Sequence, residues 1–164
     1  MEDQNFKDLL EKVNKLKTSG NYDLSMEEDL SIAIMNLISL EEHFFFTAEK
    51  TGKPDYFDLL NETRQIRKTM MARIVKEHEG ETWCVTKHLL AATMRLIEVG
   101  TKLQQDGKSE EAKETFDSAY KTYSMFWAVR LKLIDLSNVK KTNDSKKPMG
   151  FEDIMGKLAD CCKE

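Results

Sequence analysis

The sequence predicts an all-α fold, an up-down-up-down antiparallel four-helix bundle with short amphipathic helices at both termini. Three observations predict it. Apolar residues recur at the helical period through four long segments. Short stretches carrying Gly52, Gly80 and Gly107 separate those segments. The composition, 40% hydrophobic and 33% charged with two Pro and seven Gly in 164 residues, fits a soluble helical chain better than a disordered or β-rich one. A domain of this length buries roughly 70% of the surface its unfolded chain exposes, enough for a core without disulfides or structural metal.

The N-terminal segment, residues 1 to 20, places Phe6, Leu9, Leu10, Val13 and Leu16 on one helical face over residues 3 to 18. Ser19, Gly20 and Asn21 end it, and Ser25 with Glu28 has the spacing of a capping box for the first long helix. That helix, residues 26 to 50, carries the stripe Leu30, Ile34, Leu37, Glu41, Phe44 and Ala48. Gly52 stops it, and Pro54 suits a position just before or at the start of the next helix, residues 55 to 78, with Leu59, Thr63, Ile66, Met70 and Ile74 in register. The third helix, residues 81 to 105, presents Val85, Leu89, Ala92, Leu96, Val99 and Leu103. The fourth, residues 109 to 137, presents Ala112, Phe116, Ala119, Tyr123, Phe126, Arg130 and Leu133. Short turns cannot carry the chain across a bundle, so consecutive helices are expected to be antiparallel neighbours within a bundle spanning residues 21 to 138.

Residues 139 to 150 are polar and basic and form a linker. In the final segment, 151 to 164, Phe151, Ile154, Met155 and Leu158 share one side and are expected to bind a partner surface. Isolated helices shorter than about 12 to 15 residues are marginal in water, so both terminal helices must dock on something.

Glu41 is the anomaly. It sits on the apolar stripe between Leu37 and Phe44, which points its carboxylate inward, and the helical rise puts Glu62, Arg95, Glu98 and Asp117 at about the same height. The expectation is a structural polar layer of Glu41, Glu62 and Arg95, in which the guanidinium neutralises the acids in a planar fork. His43 lies two positions from Glu41, about 200° around the helix, and is expected on the surface.

Four carboxylates at one level, Glu41, Glu62, Glu98 and Asp117, resemble the di-iron carboxylate sites of ferritin-like bundles. That resemblance implies iron or manganese bound by those four residues, in an oxidoreductase or metal store. Such sites use Glu-x-x-His pairs, and Leu40, Val75 and Val85 stand three residues before the three histidines. "RIVKEH", residues 73 to 78, is similar to the R-x4-to-6-H motif of HEPN ribonuclease domains, which implies Arg73 and His78 as catalytic groups acting on a phosphodiester. Residues 103 to 120 resemble one hairpin of a tetratricopeptide repeat, which implies close helix packing through Gly107, Ala112 and Ala119 and a protein-binding role.

Glu81, Cys84 and His88 fall on one helical face, an arrangement that suits a buried thiol beside a hydrogen-bonded histidine better than a nucleophile, because no orienting third group or oxyanion loop accompanies them. Arg130 is expected to pair with Glu81 or to bind an anion. Cys84, Cys161 and Cys162 are an odd number with no C-x-x-C, so they are expected to be reduced thiols. A net charge of -4 argues against generic nucleic-acid affinity. The basic interval of Arg64, Arg67, Lys68, Arg73 and Lys76 has no accompanying aromatic platform and is expected to orient the second helix against the acidic first one. With no membrane-length apolar run and no signal-peptide core, the expected location is the cytoplasm. Taken together, these features predict a non-enzymatic interaction or scaffold module that binds a protein partner or self-associates, with no cofactor.

Overall fold

The computed structural model describes residues 24 to 75 and 81 to 133, together with Glu11 and Lys15. Those residues form four helices and no strand: α1 (Ser25–Thr51), α2 (Asp55–Ile74), α3 (Thr82–Gln105) and α4 (Ser109–Arg130). Both described turns use glycine where the backbone becomes left-handed. Gly52, at φ 65°, caps α1 by donating its N–H to the carbonyl of Ala48, and Gly107, at φ 77°, lies between α3 and α4. Left-handed backbone costs an L-residue about 1 kcal/mol or more and costs glycine little, which is why the helices stop there.

One helix start differs in detail from the expectation and the other agrees with it. Leu24, not Ser25, is the N-cap of α1, and no side chain caps it; Glu27 and Glu28 instead place negative charge against the positive end of the helix dipole. Pro54 is the N-cap of α2, where its missing N–H costs nothing. α2 ends at Ile74 and α4 at Arg130, both short of the expected ends.

Consecutive helices pack closely as two pairs, α1 with α2 and α3 with α4, and the pairs meet chiefly where α1 packs on α3. α2 and α3, though adjacent in sequence, share no extensive interface. A single apolar cluster joins the first half of α1 (Ile34, Met35), the end of α2 (Met71, Ile74) with Val75, the first half of α3 (Trp83, Leu90) and the end of α4 (Phe126). Tyr123, Phe126 and Trp127 stack and pack edge-to-face at ring separations of 5.1 to 6.0 Å and fill its α4 side. Two polar contacts tie α1 to α4 at this end: Ser31 Oγ and Tyr123 Oη lie 2.7 Å apart, and Arg130 Nη2 donates to Glu27 Oε1 at 2.7 Å.

The α3–α4 pair is close because its seam is small. A Cβ placed on buried Gly100 would lie 2.6 Å from Cε1 of Phe116, and Ala112 and Ala119 are buried opposite. The helices therefore approach nearer than larger residues would allow.

Two stripes are rotated from their predicted positions, that of α2 by about half a residue step and that of α3 by about one. On α2 the buried residues are Thr63, Arg67, Met71 and Ile74, while Leu59 and Ile66 are exposed. On α3 they are Trp83, Cys84, Thr86, Leu90, Thr93 and Gly100, while Val99 is exposed. Both helices give buried positions to Thr, Arg or Gly in preference to Ile or Val, because those residues serve contacts between helices that periodicity does not weigh.

Candidate functional site

The buried carboxylate of Glu41 organises the α1–α2 interface. Glu41 is 8% exposed and Arg67, three turns into α2, is 1% exposed. Arg67 Nε donates to Glu41 Oε1 at 2.8 Å and Nη2 to Oε2 at 3.4 Å, while Nη1 lies 3.8 Å from the sulfur of Met71. Arg64, one turn earlier, donates from Nε to Glu41 Oε2 at 3.0 Å with its side chain half in solvent. One carboxylate thus accepts from two guanidinium groups, and the fork geometry is the arrangement that makes a buried acid tolerable.

The partner named by height alone, Arg95, lies elsewhere. Its guanidinium pairs with Glu42 and Glu98 and reaches Ser39 Oγ at 3.4 Å, joining α1 to α3 on the outer side of their contact. The bond that Arg95 donates to Glu42 is the main cause holding the guanidinium above its ordinary pKa; burial opposes it and the Glu98 carboxylate adds to it. Glu62 is exposed and takes no part in the Glu41 cluster. The reason is angular: Glu62 and Arg64 are two residues apart, about 200° around α2, so one helix face cannot direct both at Glu41. The polar layer is therefore a Glu41–Arg67–Arg64 cluster and a separate Glu42–Arg95–Glu98 cluster.

The four carboxylates of the metal reading do not converge. Glu41 is held by Arg67 and Arg64, and Glu98 by Arg95. Exposed Asp117 accepts from Lys113 Nζ at 2.6 Å, and that bond raises the lysine pKa. Glu62 faces solvent. Among the described residues no three of His, Cys, Asp and Glu stand together in a way that could hold a metal ion.

Of the ribonuclease pair, Arg73 is exposed on the last turn of α2, and His78 lies outside the described residues. Cys84 is buried and His88, one turn later, is exposed, so the helix turns imidazole and thiol to different surroundings. His43 is exposed. Arg130 pairs with Glu27 rather than Glu81, because the end of α4 adjoins the start of α1. The partner-binding residues Phe151, Ile154, Met155 and Leu158, and Cys161 and Cys162, lie outside the described residues.

What sequence reasoning missed is the set of large apolar side chains left on the surface. Ile66 is 52% exposed, Phe46 48%, Val99 48%, Phe45 44%, Leu59 42% and Ile97 41%. Phe45 and Phe46 pack edge-to-face at 5.3 Å, beyond Glu41 toward the Gly52 turn. The "FFF" run of residues 44 to 46 was the available signal, since three consecutive aromatics span about 200° of a helix and cannot all face one core.

No described helix is long and apolar enough to cross a membrane. No protein-family model matches the chain, and no curated protein or solved structure matches it either.

Proposed function

We propose that this protein is a non-enzymatic helical interaction or scaffold module. In this reading an up-down-up-down antiparallel bundle, working in the cytoplasm, presents apolar helix surface to a protein partner or to its own terminal segments. The observation that carries it is exposed apolar surface that is paired rather than scattered: Phe45 and Phe46 in ring contact on α1, and Leu59 with Ile66 on one face of α2, are each more than two-fifths exposed. Single exposed apolar residues are ordinary, whereas several on neighbouring helices mark a place where another surface packs. The charged clusters suit the same role. Three of the four acids that a metal centre would require already accept hydrogen bonds from arginine or lysine.

Removing residues 139 to 164 is expected to change the assembly state seen by sedimentation velocity, the thermal midpoint, or both. If neither moves, the terminal segments do no docking and the reading is wrong. Elemental analysis of protein purified without chelator supplies an independent check. Stoichiometric iron or manganese, lost in Glu41→Ala, would overturn the scaffold reading in favour of a metal-carboxylate protein.

A further inference from the structure

The open flank of α2 is the most specific of the exposed surfaces. Because α3 packs on α1 and α4 and not on α2, the flank of α2 beside its α1-facing side has no extensive helical neighbour among the described residues. Leu59, Ile66 and Met70 lie on that flank at i, i+7 and i+11, within about 40° of one another, so they form one stripe. Leu59 and Ile66 are 42% and 52% exposed, and Met70 is half-buried at the edge of the core. Exposed Glu62 borders the stripe toward the Gly52 turn and exposed Arg73 borders it toward the four-helix core.

We infer that residues 151 to 162 of the same chain pack as a helix along this stripe, antiparallel to α2. The inference deepens the interaction-module reading and rests on it. Length fits: 12 helical residues extend about 18 Å, and the stripe from Leu59 to Arg73 extends about 21 Å. Pattern fits as well, with Phe151, Ile154, Met155 and Leu158 at the i, i+3, i+4, i+7 spacing by which a helix anchors in an apolar groove.

The tether fits too. The described part of α4 ends beside the four-helix core, as does the Ile74 end of α2, so the chain leaves α4 near the end of the stripe that Arg73 marks. Seventeen residues lie between Leu133 and Phe151, and a flexible chain of that length would have a coil dimension of roughly 20 to 25 Å. Two helix spacings come to about 16 to 20 Å. A tether whose natural length matches its span gives an effective concentration in the millimolar range, which favours docking within one chain over docking between chains.

Charge selects the direction. In the antiparallel sense Glu152 and Asp153 come level with Arg73, and Lys163 comes level with Glu62. In the parallel sense acids would face Glu62 and the lysine would face Arg73. A glycine at the centre, Gly156, and a length near the lower limit for an isolated helix make docking the main source of stability for such a helix.

Amide hydrogen exchange of the full-length protein, followed by mass spectrometry, tests the inference. Peptides covering residues 151 to 162 are expected to be protected, equally before and after tenfold dilution. Ile66→Asp and, separately, Leu158→Asp are expected to reduce that protection by about ten- to a hundredfold. Peptides of α2 and α3 should keep theirs, which shows that the frame is intact. Arg73→Glu should weaken protection, and Glu152→Lys with Asp153→Lys should restore it.

Random-coil exchange of 151 to 162 in the unaltered protein overturns the inference. So does protection indifferent to Ile66→Asp. Protection that vanishes on dilution means the segment docks on a second copy; the inference then fails while the interaction reading stands. The interaction reading itself fails by its own test, an unchanged assembly and midpoint after removal of residues 139 to 164.

Discussion

Replacing Glu41 by Ala strips the guanidinium of Arg67 of its carboxylate while leaving it inside the α1–α2 interface. Arg67 is 1% exposed, and its Nε and Nη2 both donate to Glu41, so the variant takes that acceptor from both nitrogens. Losing one partner of a buried ion pair costs about 3 to 5 kcal/mol. Arg64 adds little to that sum, because its side chain is 46% exposed and a solvated pair is worth about 0 to 1 kcal/mol. Glu41→Ala should therefore destabilise by about 3 to 5 kcal/mol and Arg64→Ala by less than about 1. For a chain of this size the first corresponds to a fall of about 6 to 20 °C in Tm. Urea unfolding with both helical and aromatic signals measures the difference. The companion variant Glu41→Leu with Arg67→Met removes both charges and keeps most of the volume, and it should recover most of the loss, because apolar replacement of a buried pair is often neutral or stabilising. A Glu41→Ala cost near that of Arg64→Ala would refute the argument, and so would a double variant as unstable as the sum of its parts.

Three further outcomes follow from single contacts. Thr86 is 1% exposed and its hydroxyl has no hydrogen-bond partner among the described residues, so Thr86→Val should stabilise by about 1 kcal/mol, read as a rise in the urea midpoint with unchanged slope. Gly100→Ala drives a methyl to 2.6 Å from the Phe116 ring and should destabilise by about 1 to 3 kcal/mol. Phe116→Leu in the same chain should relieve much of that cost, and a double-mutant cycle with no coupling would contradict the contact. Ser31→Ala and Tyr123→Phe each break the 2.7 Å bond between α1 and α4 and should each cost about 1 kcal/mol, with the double variant no worse than about either alone when followed by thermal unfolding.

The helical frame was legible because it depends on local terms. Periodicity, Pro54 at the start of α2 and glycines at left-handed turns act within a few residues of chain, and the four helices lie where those terms put them. The inward position of Glu41 was legible for the same reason, since it depends only on the period of α1. Its partner was not. Height along the bundle offered Glu62 and Arg95 alike, and only the rotation of α2 about its own axis and the choice of α3 as the second neighbour of α1 decide which groups meet the acid. Those are properties of the packed set, and they placed Arg67 and Arg64 against the acid and sent Arg95 to Glu42.

The same rotation links the buried pair to the exposed surface. Hydrophobicity alone would turn α2 so that Ile66 faced inward, and the predicted stripe did so. Turning it by roughly 55°, about half a residue step, brings Arg67 to Glu41 and Met71 into the core while Thr63 and Ile74 stay buried, and carries Ile66 out to solvent with Leu59 beside it. A helix that followed only its apolar moment would bury its best stripe and leave nothing for another helix to bind. An Arg–Glu pair at the α1–α2 interface instead fixes the facing of α2 through charge and hydrogen bonding, which an apolar contact could not specify to within one residue. The carboxylate of Glu41 and the apolar flank of α2 are thus two consequences of one choice of angle: the polar pair is inside because the apolar stripe is outside.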